Sequence, residues 1–271
     1  MKTIMVGIDG SAGGQMAFRT AVDLADLCGG TVYAVAVMPD RGQAEAPADE
    51  RDASDTEAEE VATRSLSSTF DEALVECEEI CRVADVDYVR DVLVGDPARV
   101  LTAEAEGADL LVIGAQGQRN NPHFLMGEHT PRILRHSIKP VLVARGEHTP
   151  IRRVLVGYDG TSDSGHAVEW AADFGHDADW EIRMVTGTHP ESALASGARR
   201  AARIFAARRL EVDLHITEGD APSIIFEHGR EFEADLIVIG AAPKGPVTGF
   251  FIGEAWPDIV EQAPVSVLCW R

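Results

Sequence analysis

Two groups of residues in this chain are placed where chemistry can happen. Asp9 closes the apolar run Ile4-Met5-Val6-Gly7-Ile8 and is followed at once by Gly10 and Ser11. Gly114, Gly117 and Gly127 punctuate a second stretch, LLVIGAQGQRNNPHFLMGEHTPRILRHSIKPVLVAR (110–145). There an apolar run ends at Gly114, a glycine-bearing loop follows, and Ile133, Leu134 and Ile138 recur at helix-like spacing before Pro140 opens another apolar run. Strand, glycine loop, helix, strand sets a helix N-terminus beside the carboxyl end of a strand. Free backbone N–H groups and the helix dipole both favour an anion there. Glycine lets a ligand approach the backbone closely. The chemistry such a stretch supports is recognition of a phosphate-like group.

The stretch has a degraded twin, LIVIGAAPKGPVTGFFIGEAWPDIVEQAPVSVLC (236–269). Other blocks repeat in the same order. Val154–Thr161 (VLVGYDGT) matches Ile4–Ser11 (IMVGIDGS), Glu218-Gly219-Asp220 matches Val94-Gly95-Asp96, and Ala263–Val267 matches Lys139–Val143. Matched blocks in matched order indicate an internal duplication. It divides the chain into 1–145 and 151–271, with a short connector between them.

The elements that must position these residues follow from pattern. Lys2–Ile8 and Thr31–Met38 are nearly continuous apolar runs, as strands buried on both faces should be. Met16–Leu27 has helical spacing, with Ser11 as its N-cap and Gly29-Gly30 as its end. Residues 39–60 are rich in Ala, Asp, Glu and Pro without apolar periodicity, which predicts an exposed acidic loop. A long helix is predicted from Thr56 to Ala84, its stripe including Leu66, Phe70, Leu74, Cys77 and Cys81. Asp87–Val94 is the next strand, and Pro97 suits the first turn of the helix after it. Alternating strands and helices give an α/β fold in each half, with a parallel sheet covered on both faces. Ligands bind such sheets beyond the strands' carboxyl ends, where the strand order reverses.

With these motifs the sequence resembles a tandem universal stress protein (UspA-type). The family's nucleotide-binding members carry Gly-x-x-Gly, nine residues, then Gly and Ser or Thr. Gly114, Gly117 and Gly127 fit that spacing, and V-G-x-D-G-[ST] at the start of each half with K/A-P-V-x-V at its end make the likeness specific. It covers nearly the whole chain apart from 39–60. It implies two tandem doubly wound five-stranded parallel sheets of the adenine nucleotide alpha hydrolase-like kind. It further implies an internal pseudo-dimer whose fifth strands pair, compatible with a homodimer. By the same resemblance Asp9 serves the base or ribose of an adenine nucleotide, Val37 walls the base, and Gly114, Gly117 and Gly127 line the phosphate path. Asp159, Gly240 and Gly253 are the weaker equivalents in the second half. The ligand so implied is ATP or AMP, with magnesium if a triphosphate binds, in a protein that regulates the response to stress.

The sequence departs from that pattern at Glu128, where a hydroxyl belongs. A carboxylate at a helix N-terminus sits where a phosphate would, and satisfies the dipole by roughly 0.3–1 kcal/mol. Glu254 repeats the departure, and Pro243 replaces the middle glycine with a residue lacking an N–H. The alternative reading is therefore an interaction protein acting through partner surfaces, its loops capped by Glu128 and Glu254. An enzyme is not expected. Ser11 and Thr161 read as caps because no His–Asp arrangement is evident to activate them. Slow ATP hydrolysis stays open, and a nucleotide-transferase site is disfavoured because no His-based phosphate motif follows the first strand.

No metal is expected. His123, His129 and His136 flank the loop without an acidic or cysteine partner set. Cys28, Cys77, Cys81 and Cys269 read as small apolar residues in a reducing compartment. Arg119 and Lys244 lie on the two loops, and most loop cations face solvent. Arg199-Arg200 and Arg208-Arg209 make one segment basic, and read either as ion pairs with nearby carboxylates or as a contact for an acidic partner.

Composition narrows the partners. The 271 residues carry a net charge of −21, and lysine occurs only at Lys2, Lys139 and Lys244. Such acidity suits a chain kept soluble in a salt-rich, halophilic cytoplasm, where self-repulsion is screened. It disfavours nucleic acid and anionic membrane, both of which need a basic footprint. No apolar run approaches the roughly 20 residues of a membrane span. The apolar part of MKTIMVGIDGS is too short for a signal peptide, so a cytoplasmic protein is expected.

Overall fold

Each half opens with a strand followed closely by an aspartate and closes with a strand that a proline precedes. The computed structural model describes residues 2–38, 40, 53–115, 129–241 and 252–271, without the side chains of 53–67, 177, 253 and 254. The first half runs β1 (Thr3–Ile8), α1 (Ala12–Cys28), β2 (Thr31–Met38), α2 (Ala53–Ala84), β3 (Asp87–Val94), α3 (Pro97–Glu104), β4 (Leu110–Gly114), α4 (Thr130–His136) and β5 (Val141–Ala144). The second runs β6 (Arg153–Gly157), α5 (Ser162–Ala178), β7 (Glu181–Gly187), α6 (Ala193–Ala207), β8 (Val212–Thr217), α7 (Ala221–Glu231), β9 (Leu236–Gly240), α8 (Ile252–Gln262) and β10 (Ser266–Trp270).

Within each half the five strands are parallel, as expected. The two sheets then join edge to edge into one ten-stranded sheet of order β3-β2-β1-β4-β5-β10-β9-β6-β7-β8. The join is antiparallel, with Val143 opposite Val267 and Leu142 opposite Leu268. All four residues of β5 are buried, so an unpaired β5 would present a fully apolar edge to water. Pairing with β10 removes that edge, as the expected pseudo-dimer requires. The seam is reinforced by side chains. Lys2 Nζ lies 3.7 Å above the Phe174 ring, and Arg145 Nη1 donates to the Glu261 carbonyl at 2.9 Å.

The helices divide by face. Buried residues of α1, α2, α5 and α6 pack on one side of the sheet, and those of α3, α4, α7 and α8 on the other. Starts and stops obey local chemistry. Ser11 accepts the Gly14 N–H at 3.0 Å and Thr161 accepts the Ser164 N–H at 3.2 Å, so both are caps as predicted. Gly10 and Gly160 turn the chain at φ 73° and 82°, a left-handed conformation that favours glycine.

One expectation is corrected. Helix α2 begins at Ala53, so 53–60 is helical rather than part of an acidic loop. Ala and Glu are strong helix formers and carry the helix beyond its apolar stripe, although they contribute no periodicity to betray it. Of the remainder of that loop, 39 and 41–52 lie outside the described residues. No helix among the described residues is long and apolar enough to cross a membrane.

Candidate functional site

The strand order reverses between β1 and β4, the place where sheets of this kind open a crevice. Val6 pairs with Val112 on one side, and Ile8 with Ala36 on the other. The carboxyl ends of β1, β2 and β4 therefore bring Asp9, Val37 and Gly114 to one edge of the sheet. Gly117, Gly127 and Glu128 lie outside the described residues, as do His123 and Arg119.

Asp9 is half-buried, and its Oδ1 accepts from the Ser11 N–H at 2.9 Å and from the Ser11 hydroxyl at 2.6 Å. A Cβ at Gly14 would lie 2.6 Å from that same oxygen. The carboxylate thus rests against the first turn of α1 at a spot only glycine leaves open. Sequence reasoning missed Gly14. Its signal was available as Gly14 against Ser164 in otherwise matched motifs.

Gly114 is required by packing. A Cβ there would fall 2.6 Å from the Gly13 carbonyl carbon and 2.7 Å from its oxygen. The end of β4 therefore abuts the first turn of α1, which closes the crevice floor. Val37 is 8% exposed and packs with Val35, Ala98, Leu101 and Ile113 in the core beneath α3. Helix α4, which follows the glycine loop, is tied to α3 through a forked pair. Arg132 Nη1 and Nη2 donate to Asp96 at 2.8 and 2.9 Å, while Asp96 also caps α3 through the Arg99 N–H at 3.0 Å. The Arg132 guanidinium, more than that cap, holds the Asp96 carboxyl below the usual carboxylate range.

The second half is built differently at the matching point. Asp159 is 6% exposed. Its Oδ1 accepts from Thr161 N–H and hydroxyl at 3.1 and 2.6 Å, and its Oδ2 accepts the Ile252 N–H at 3.2 Å. Ile252 is the first residue of α8, so the helix N-terminus is capped from within. Ser164 supplies the Cβ that Gly14 lacks, and its Oγ accepts the Asp159 N–H at 3.4 Å. Gly240 is tighter than Gly114, since a Cβ there would lie 2.3 Å from Ser164 N. Gly253 and Glu254 fall in the first turn of α8, and Pro243 and Lys244 lie outside the described residues.

Other candidate residues are absorbed by structure. Ser11 and Thr161 spend their hydroxyls on capping and on the adjacent aspartate. No group of three or more His, Cys, Asp and Glu among the described residues is arranged to hold a metal. Cys77 and Cys81 are buried on α2, and burial pushes their thiols up to about 12 and about 11, far from the reactive thiolate. Of the basic segment, Arg208 pairs with Asp173 at 2.5 Å and Arg199 donates to the Pro190 carbonyl at 3.1 Å.

The model of the universal stress protein family matches residues 1–145 and again 150–271. Universal stress protein Slr1230 of Synechocystis is 22% identical, with all of both chains covered. Universal stress protein Rv2005c of Mycobacterium tuberculosis is 33% identical over 52% of this chain and 45% of its own length. The crystal structure of a universal stress protein from Archaeoglobus fulgidus superposes with a TM-score of 0.77 at 18% identity, covering 99% of this chain and 98% of that one. This last likeness is one of fold.

Proposed function

The chain belongs to the universal stress protein family, and we propose that it is a stress-response regulator that binds one adenine nucleotide, ATP or AMP, in its first half. The observation that carries this reading is the contrast between two matched aspartates. Asp159 is enclosed, at 6% exposure, whereas Asp9 is half-buried at the crevice between β1 and β4. Asp9 has the position from which a carboxylate can accept hydrogen bonds from a ribose or an adenine amino group. Gly114, Gly117 and Gly127 carry the family spacing for the phosphates, with magnesium accompanying a triphosphate. This reading requires that the Glu128 carboxylate not oppose the phosphates. The role is binding rather than turnover, because the hydroxyls beside the site are engaged in capping helices and in bonds to the adjacent aspartates.

A second reading, an interaction protein without nucleotide, draws on the second half, where the helix N-terminus is satisfied by Asp159. Calorimetric titration with ATP, with and without magnesium, in molar KCl separates the two. One site per chain, lost in Asp9→Ala and retained in Asp159→Ala, is expected. Silence of the wild type with binding restored by Glu128→Ser assigns the second reading. Silence of both ends the nucleotide reading.

A further inference from the structure

The internal duplication lets surface residues of the two halves be compared position by position. Val86 N–H bonds to the Cys81 carbonyl and Leu210 N–H to the Phe205 carbonyl, which fixes α2 against α6. The buried residues agree, Leu74, Cys77 and Cys81 matching Ala198, Ala201 and Phe205. On that register the outward stripe of α2 is Glu72, Glu76, Glu79 and Val83, and the stripe of α6 is Ser196, Arg200, Arg203 and Ala207, all exposed. Glutamate in one half stands where arginine stands in the other, twice in succession. The inner helices repeat the inversion once, with exposed Arg19 of α1 matching exposed Glu169 of α5.

These charges cannot meet within one chain. On this face α1 packs against α2 and α5, and α5 against α6, so α2 and α6 lie at opposite ends of the layer. No carboxylate lies within ion-pair distance of Arg200 or Arg203 among the described residues, in a chain of net charge −21. Among the described residues Glu79 pairs with the exposed Arg82, and Glu76 with Gln15 at 3.4 Å. Val83 is 74% exposed on the same stripe.

We propose that two copies of this chain pair through this helical face, α6 of one lying antiparallel on α2 of the other. A second copy turned over about an axis along the strands brings each α6 onto the partner's α2 and each α1 onto the partner's α5. The contact is isologous, so every pair occurs twice. Arg200 and Arg203 meet Glu76 and Glu79, Arg19 meets Glu169, and Val83 leaves water. Asp23 and Asp173, which share this face, are already held by His148 and Arg208. Opposed charges set the register and direction of the contact.

Sedimentation velocity of the full chain in KCl buffers, across a wide range of protein concentration, tests this. The wild type is expected to dimerise. Arg200→Glu with Arg203→Glu, or Glu76→Arg with Glu79→Arg, turns attraction into repulsion at both ends and weakens association at least about tenfold. The chain carrying all four changes regains the dimer with the charges exchanged. A wild type monomeric throughout, pair variants as dimeric as the wild type, or a fourfold variant that stays monomeric overturns the proposal. Circular dichroism melts establish that each variant is folded. Should a reversal unfold the chain, Arg200→Ala with Arg203→Ala on the exposed face provides the same reading, with failure to weaken the dimer counting against the proposal.

Discussion

The backbone N–H of Ile252 donates to Asp159 Oδ2 at 3.2 Å, across 93 residues of sequence. One carboxylate thereby ends β6, braces the turn into α5 and caps α8. The place where a helix N-terminus would receive a phosphate is occupied by the protein's own charge.

Removing that carboxylate leaves the Ile252 N–H without its partner in a buried setting. Asp159→Ala is expected to lower unfolding stability by about 1–3 kcal/mol, measured by urea denaturation in KCl. Asp159→Asn, which keeps an acceptor oxygen and the shape, should cost less. Equal stability of Asp159→Ala and wild type would mean that the contact contributes nothing.

Gly114 and Gly165 offer opposite outcomes from the same substitution. Alanine at 114 drives a Cβ to 2.6 Å from the Gly13 carbonyl carbon, so α1 must shift. Overpacking of this kind costs about 1–3 kcal/mol. Gly165 lies in α5 with nothing within 4 Å of its missing Cβ, and alanine there should stabilise by roughly 0.5–1 kcal/mol through helix propensity. Thermal melts of both variants check the pair, and a Gly114→Ala melt no lower than wild type would remove the packing explanation.

His228 is expected to make the second half sensitive to acid. Its ring lies 4.8 Å from that of His215, beside Arg183, which shares Asp213 with His215. Burial first, then the charges of His215 and Arg183, hold His228 below its ordinary 6.5, and Glu231 at 4.0 Å does not offset them. Below 6.5 the unfolded chain therefore takes up the proton more readily than the native one, and stability falls as pH drops from there toward the lowered value. Other groups titrate in the same range, so the comparison is between wild type and His228→Gln in urea at about pH 7.5 and about pH 5.5. The wild type should lose more stability than the variant. Parallel losses would show that His228 does not contribute.

Much of this architecture was legible because it depends on local pattern. Asp9-Gly10-Ser11 and Asp159-Gly160-Thr161 announce strand ends and caps, and both caps form. The runs Val141–Ala144 and Val265–Trp270 are apolar apart from Ser266, and they pair. The start of α2 was legible only approximately, near Thr56 against Ala53, since Ala- and Glu-rich sequence supports a helix without displaying a face.

The sequence by itself determined the duplication, the α/β alternation, the strand ends that gather Asp9, Val37 and Gly114, and the acidity of the surface. Tertiary structure decided the rest. Asp9 and Asp159 stand in nearly identical motifs, yet one is half-buried at a crevice and the other is enclosed under α8. The charge inversion between α2 and α6 emerged only once their buried stripes were set in register. The reason is physical. Hydrophobic periodicity and capping act between near neighbours and are written in local sequence. What a carboxylate or an arginine faces depends on elements packed from far along the chain.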